Sequence, residues 1–379
     1  MKKTVAVFFG GQSPEHDISI VTAISAVIKP LTLTKKYTVV PVYITKDGTW
    51  LSDPRLSRIE TYRTGKINEL IAKAKPLAVS FGSGLRIGKQ KIDIAFPAMH
   101  GSYGEDGSLM GVLRMANIPF VGADMDASVI AMDKVLAKQV AEANNIPISR
   151  YIFLTRADVL ADLAEATKTA AKGLKFPLFV KPAHLGSSIG ITQVKTKDEL
   201  ANALEVAAYY DEKIIVEETV SNLIEVTVPV MGNGNDVQVA LVEKPLTQAG
   251  EFFDFDTKYI TGGGKKADGA KQGAQGYSEL PAQLPGNLYD ASVQTAQAVY
   301  RAIGASGISR IDLLIDSKAK TVYFNEVNPL PGSLYVHNWR KAGVSGIELV
   351  EKLIGFAEQR FEERQKLTTT FDSSFLQQF

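Results

Sequence analysis

The sequence predicts an α/β protein of two or three domains, and three stretches carry that reading. Residues 4–9 are a near-continuous apolar run that turns through Gly10-Gly11 into a helical pattern, as a parallel strand buried on both faces would. Residues 309–315 and 321–328 alternate apolar and polar side chains around the short polar loop 316–320, which reads as an antiparallel hairpin. Residues 176–180 and 191–194 flank a small Gly/Ser-rich loop as a second hairpin. A length of 379 residues leaves ample room for several cores.

Composition narrows the functional class. A net charge of +1 gives no reason to expect nucleic acid or a membrane surface as partner. The absence of cysteine excludes disulfides, thiolate chemistry and thiolate zinc, and makes the cytoplasm the expected compartment. Lys2-Lys3 before the first apolar run superficially resembles a signal peptide, but the run is too short and ends in glycine, so a strand is expected. No apolar run is expected to reach membrane-spanning length.

Taken in order, the first strand turns at Gly10-Gly11-Gln12, and Ser13-Pro14-Glu15-His16 is expected to open a helix with Ser as N-cap and Pro at N1. Ile18, Val21, Ile24 and Ile28 form its apolar face. These glycines do not fit the dinucleotide fingerprint. Glu15 would then simply complement the helix dipole, unless a ligand needs a carboxylate at this strand end. Strands follow at 37–44 and 92–98. The second leads into Met99-His100-Gly101-Ser102-Tyr103-Gly104-Glu105-Asp106-Gly107, at the kind of carboxyl strand end where α/β sheets bind ligands, although a plain glycine turn is an alternative. A helix is expected over 109–116, and a second unit from about Asp124, opened by a helix that runs from Met132-Asp133-Lys134 to Asn144.

The loop after Lys181-Pro182 suits phosphate, through backbone N–H groups and a lysine point charge, or is an ordinary mobile hairpin. It is not a Walker A loop. Residues 214–218 form a strand ending in Glu217-Glu218, acids that either meet an adenine amino group and a ribose hydroxyl or are solvated. After a strand at 237–242, residues 252–259 mix aromatics and charges. The Gly/Lys-rich run 260–276 cannot bury an apolar face and is either a disordered insertion or a lid over a charged ligand. Helices are expected over 288–303 and 347–364, with a tail from Lys366.

In the late hairpin, centring the loop on Ala319 sets Asp312 opposite Glu326 and Arg310 opposite Asn328, with Leu314 and Phe324 on the same face. Two carboxylates so opposed repel by roughly 4 kcal/mol at an effective dielectric near 20, so a positive group must sit between them. Asp, Glu and an Asn carbonyl make a hard, all-oxygen set suited to Mg²⁺, with a solvated hairpin as the alternative.

Five motifs in order then carry a resemblance. Gly10-Gly11-x-Ser13-x-Glu15-His16-x-x-Ser19, His100-Gly101-x-x-Gly104-Glu105-Asp106-Gly107, Lys181-Pro182 to Gly186-Ser187-Ser188, Arg310-x-Asp312, and Asn325-Glu326-x-Asn328-x-x-Pro331-Gly332 stand as they do in D-alanine–D-alanine ligases of the ATP-grasp superfamily. The resemblance runs from Thr4 to about Arg364. It implies a three-domain ATP-grasp ligase: a Rossmann-like N-terminal domain (1–123), a central ATP-grasp subdomain (124–213) and a C-terminal ATP-grasp domain (214–365), followed by a tail (366–379). It implies that ATP and D-alanine are the substrates and a homodimer the assembly. The carboxylate of one D-alanine attacks the γ-phosphate of ATP, and the amine of a second attacks the resulting acyl phosphate.

The resemblance also assigns roles. Lys134, Lys181 and Ser188 would face the ATP phosphates, with Lys258 reaching from the lid; Glu217, Glu218, Val220 and Glu225 would meet the adenosine. Asp312, Glu326 and Asn328 match magnesium ligands, with Mn²⁺ as a possible substitute. Arg310 would stabilise the carboxylate and the acyl-transfer transition state, and the Gly332 N–H an oxyanion. Glu15 matches the acid that holds the first substrate's ammonium, linked to Ser187 and Tyr259, while His100, Ser333 and Leu334 complete the substrate site. Tyr259 goes with an amine rather than a hydroxy-acid acceptor. The chain departs from the pattern where Ser333-Leu334-Tyr335 follows Gly332 directly, about four residues early. The acceptor floor is therefore expected to be either rebuilt by Tyr335, His337 and Trp339 or more open.

Overall fold

The computed structural model describes residues 2–75, 77–82, 84–234, 236–246 and 278–379, which fold around three four-stranded sheets. The first has the order Trp50–Leu51, Tyr37–Ile44, Lys3–Gly10, Ile94–Pro97, and its last three strands run parallel. The continuous apolar run of the first strand has a direct cause. Val5, Val7 and Phe9 pack with Ile20, Ala23 and Val27 on one face, and Ala6 and Phe8 pack with Leu109, Met110 and Leu113 on the other.

The helix expected with Ser13 as N-cap starts two residues later, at His16, with Glu15 in the cap position. Ser13 Oγ instead accepts from the Glu15 N–H at 3.1 Å within a turn, which leaves Glu15 at the helix edge rather than inside it. The helical run continues through a π-helical stretch, Thr22–Ile28, to Lys29–Thr34. Contrary to the expectation from sequence, this run is by length and composition long and apolar enough to cross a membrane; over half of it is buried against the first sheet and the Gly346–Gln365 helix. The expected strand at 92–98 is divided into Gln90–Ile92 and Ile94–Pro97, with Asp93 between them accepting from the Thr4 N–H at 2.8 Å.

The second sheet is antiparallel, in the order Thr192–Val194, Leu178–Pro182, Lys213–Glu218, Tyr151–Thr155. A boundary at 214 would cut the Lys213–Glu218 strand from its partners; its apolar side chains Ile214 and Val216 lie in the core of this central unit. The third sheet, also antiparallel, is Asp236–Val239, Leu223–Asn233, Ser306–Asp316, Thr321–Asn328. The helices Lys134–Ala143 and Leu288–Ala302 cover it. The late hairpin pairs as expected at Arg310↔Asn328 and Asp312↔Glu326, then shifts by one residue at a bulge, so Leu313 rather than Leu314 meets Phe324. Phe324 therefore turns into the core with Ile311, Leu313 and Ile315 and is not on the polar face. A bulge re-aims a strand in this way; here it leaves both Asn325 and Glu326 partly exposed.

Candidate active site

The third sheet, the Gly/Ser loop and the first helix edge converge on one small polar cavity. Glu15, Ile18, His100, Glu105, Ser187, Arg310, Glu326, Asn328, Leu330 and Gly332 line it. A more open groove lined by Trp50, Leu77, Val79, Phe81 and Val112 lies elsewhere on the N-terminal unit, and among the described residues no titratable group lines it. Glu15 and Ser187, 172 residues apart, meet where the Ser187 hydroxyl donates to Glu15 Oε1 at 2.5 Å. Glycine at 101 is required here: its φ is +71°, and a Cβ would sit 2.4 Å from Ser13 Oγ and 3.1 Å from Glu15 Oε2.

On the hairpin, the positive groups that the opposed carboxylates demand are side chains of the chain itself. Arg310 donates from Nε and Nη2 to the two oxygens of Asp312 at 2.7 and 2.6 Å, and Lys134 Nζ lies 3.4 Å from Glu326. Asn328 Nδ2 donates to Asp312 at 3.2 Å. Among the described residues no cluster of three or more His, Cys, Asp or Glu is placed to hold a metal. As a donor set, Asp312, Glu326 and the Asn328 amide oxygen are hard oxygen ligands on neighbouring strands, and they fit Mg²⁺ chemically.

The expected phosphate lysines have a partner that was not foreseen. Lys138, 1% exposed, joins Lys181 on the buried carboxylate of Glu217, at 2.7 and 2.5 Å respectively. Burial would raise the Glu217 carboxyl, but the two ammonium groups outweigh it and hold the group down at about 2. Burial pushes the Lys138 ammonium down, whereas for Lys181 the attraction of Glu217 outweighs burial and raises it. Lys138 and Lys181 thus share one carboxylate, and Glu326, which meets Lys134, also acts on both. The spacing Lys134/Lys138, one helical turn, is the signal in the sequence that could have revealed the second lysine. Glu218 alternates to the other side of its strand, where it accepts from the Lys175 N–H at 2.9 Å. Val220 lies in the loop after that strand, and Glu225 stands cross-strand from Leu314.

The loop that carries Ser187 and Ser188, both at positive φ, is tied down at His184. His184 Nδ1 lies 2.9 Å from Asp211 and Nε2 3.3 Å from Asp133, and Asp133 also pairs with Lys213 and caps the Lys134 helix. These hydrogen bonds, Asp133 first, raise the imidazole from 6.5 to about 9. A group raised in the folded state stabilises fully below its unfolded value and loses that contribution as pH rises through the folded one. The melting midpoint of wild type relative to His184→Gln is therefore expected to fall between about pH 6.5 and about pH 9. Parallel melting curves across that window would discard the ion-paired histidine. The ring is over a third exposed, so the effect is screened and modest.

Thr22, which sequence reading did not single out, links three parts of the site. Its hydroxyl is hydrogen-bonded to His100 Nε2 at 2.8 Å and accepts from the Ser333 N–H at 2.9 Å. Glu105 accepts from the N–H groups of Gly101 and Leu330 at 2.8 and 3.1 Å. Burial and the neighbouring Glu15 carboxylate push the Glu105 carboxyl up to about 8, and burial pushes His100 down. The Leu334 N–H donates to Pro331 O at 2.8 Å, so both N–H groups of the shortened segment are spent inside the protein. Tyr335 lies beside Arg310 with the His337 ring tilted against it, but Trp339 is 2% exposed in the core and forms no part of an acceptor floor. Lys258, Tyr259 and the Gly/Lys-rich run lie outside the described residues.

Comparison with known proteins places the chain in a family. Models described as the N-terminus and C-terminus of D-ala D-ala ligase match residues 4–123 and 140–355. The chain is 33% identical to a D-alanine–D-alanine ligase of Acetivibrio thermocellus over 96% of its length and 98% of the relative's. It is 36% identical to one of Chlorobium limicola over 95% and 98%. Among solved structures, the D-alanine–D-alanine ligase from Coxiella burnetii aligns with TM-score 0.77 at 26% identity, covering 96% of each chain. The D-Ala:D-Ser ligase from Enterococcus faecalis aligns with TM-score 0.78 at 31% identity, covering 94% of this chain and all of that one. With both halves matched in order and relatives aligned end to end, this chain belongs to the D-alanine–D-alanine ligase family.

Proposed function

We propose that the chain joins two D-alanines at the expense of ATP through an acyl phosphate, supplying the dipeptide for peptidoglycan. The observation that carries the reading is the convergence of Glu15, Ser187, Arg310 and Gly332 on one cavity beside the buried lysines. In this reading the first D-alanine lays its ammonium on Glu15, with Ser187 orienting that carboxylate. Its own carboxylate oxygen attacks the γ-phosphorus and ADP leaves. The second D-alanine's amine attacks the acyl carbon, phosphate departs, and the amine loses a proton. Phosphoryl transfer depends mainly on positioning and charge neutralisation, which Lys134, Lys138 and Lys181 supply from this chain. Arg310 and the Gly332 N–H would bear the charge that develops at the acyl oxygen. Mg²⁺, or Mn²⁺, would be held by Asp312, Glu326 and Asn328, and when bound it neutralises phosphate charge.

The assignment extends to a three-domain ATP-grasp arrangement with ATP between the central and C-terminal units, to Val220 and Glu225 near the adenosine, and to a cytoplasmic homodimer. The direct test is phosphate release from ATP with D-alanine as sole amino acid, with product analysis. D-alanine-dependent release and D-alanyl-D-alanine are expected; no stimulation by D-alanine would end the ligase reading. With Tyr259 present, D-alanine should outcompete equimolar D-lactate as acceptor at neutral pH. Preference for D-lactate would reassign the acceptor and leave ATP-dependent activation of D-alanine intact.

A further inference from the structure

The segment after Gly332 is held in a conformation that its sequence disfavours. Ser333, Leu334 and Tyr335 stand at φ +50°, +51° and +52°, three successive L-residues in the left-handed region. Such a run persists only where its surroundings over-determine it.

The surroundings here are a clamp built on one buried carboxylate. Glu243 is 3% exposed; its Oε2 lies 2.9 Å from His337 Nε2 and accepts from Asn338 Nδ2 at 3.1 Å. Asn338 in turn exchanges side-chain bonds with the backbone of Leu241, donating at 2.9 Å and accepting at 3.0 Å. Glu243 and Thr227 exchange both backbone bonds, at 2.9 and 2.8 Å. Thr227 is the cross-strand partner of Asp312, and its hydroxyl lies 3.1 Å from Tyr335 Oη. The Tyr335 ring then has His337 at 4.6 Å between centroids and the Arg310 guanidinium carbon 5.5 Å from its own centroid.

Asp312 and Tyr335 both act on one guanidinium. Asp312 grips the Nε/Nη2 edge, and the Tyr335 ring sits over the guanidinium at 5.5 Å, within cation–π range. A ring delivered by a free loop would not keep that distance; a ring delivered by a loop pinned at Glu243 does. We propose that Glu243 and Tyr335 are positioning residues for the ligation step, acting through Arg310 and taking over the anchoring that the shortened turn after Gly332 can no longer provide. The proposal rests on the ligase reading.

The test uses the full chain with ATP and D-alanine and compares Tyr335→Leu, Tyr335→Phe, Glu243→Gln and the double variant Glu243→Gln/Tyr335→Leu. Tyr335→Leu is expected to lower kcat by roughly tenfold to thirtyfold, the scale of a partly desolvated cation–ring contact, with KM for ATP within about twofold of wild type. Tyr335→Phe keeps the ring and should stay within about threefold of wild type. Glu243→Gln should lower kcat, and its effect should shrink in the Tyr335→Leu background because both act through one group. Melting midpoints, read in parallel, set an assay temperature at which every variant is folded. If Tyr335→Leu and Glu243→Gln melt earlier but keep wild-type kcat, the clamp serves stability alone and the proposal fails. Should Tyr335→Leu not fold, kcat in Glu243→Gln decides in the same way. A wild-type chain without D-alanine-dependent phosphate release would overturn the ligase reading, an outcome visible before any variant is made.

Discussion

Replacing Arg310 by methionine is expected to reduce kcat by roughly two to three orders of magnitude, the loss seen when one preorganised donor to a developing oxyanion is removed. Arg310 borders the cavity together with Glu15 and Gly332, and its side chain is about one-sixth exposed. In that setting a fixed charge acts more strongly than it would in water. Arginine also does here what lysine cannot, because its fork meets both oxygens of Asp312 in one plane. Arg310→Lys should therefore recover only part of the loss. Methionine in turn leaves Asp312 opposite Glu326 without the Arg310 ion pair, so a lower melting midpoint should accompany the loss of rate. Phosphate release at saturating D-alanine and ATP measures the first effect, and thermal denaturation the second. A methionine variant within about tenfold of wild-type kcat would remove Arg310 from the chemistry.

How far the sequence revealed this site follows from the range of the forces involved. Cross-strand register is local, so Asp312 opposite Glu326 and Arg310 opposite Asn328 could be read by counting from the hairpin loop. The same count failed beyond Asp312 because a bulge leaves no mark in an alternating pattern until burial decides which residue turns inward, and Phe324 was the better core residue. The start of the first helix was misplaced for a similar reason: Ser13 and Pro14 satisfy local capping preferences, yet the tertiary bond from Ser187 needs Glu15 at a turn. Thr22, Lys138 and Glu243 escaped entirely. Each is an ordinary residue on an ordinary element, and each gains its meaning from partners about 70 or more positions away in the chain, at His100, Glu217 and His337. The five glycine- and charge-rich motifs were legible because their residue types are poor at everything except turns and ligands.

Glu217→Gln provides the sharpest separation between a ligand and a structural role. Read from sequence, Glu217 is an acid at a strand end, available to adenosine. In the structure its Oε1 pairs with Lys138 and its Oε2 with Lys181, and 3% of the residue is exposed. Removing one partner from a buried ion pair costs on the order of 3–5 kcal/mol, because the remaining charge stays desolvated. The glutamine variant should accordingly melt lower by on the order of 10 °C. Its pH dependence has a defined sign. A carboxyl held at about 2 in the fold stabilises fully above its unfolded value, and that contribution is lost as pH falls through the folded one. The gap between wild type and variant should therefore be widest near neutrality and close on acidification below about pH 4.5. Lys138, already pushed down by burial, is the group best placed to lose its proton once Glu217 is gone, so adding Lys138→Met should restore part of the lost stability. An adenosine ligand with free oxygens would behave differently, raising KM for ATP with the melting curve unmoved. That second pattern would return Glu217 to the role expected from its sequence and remove the buried lysine pair from the account of phosphate binding.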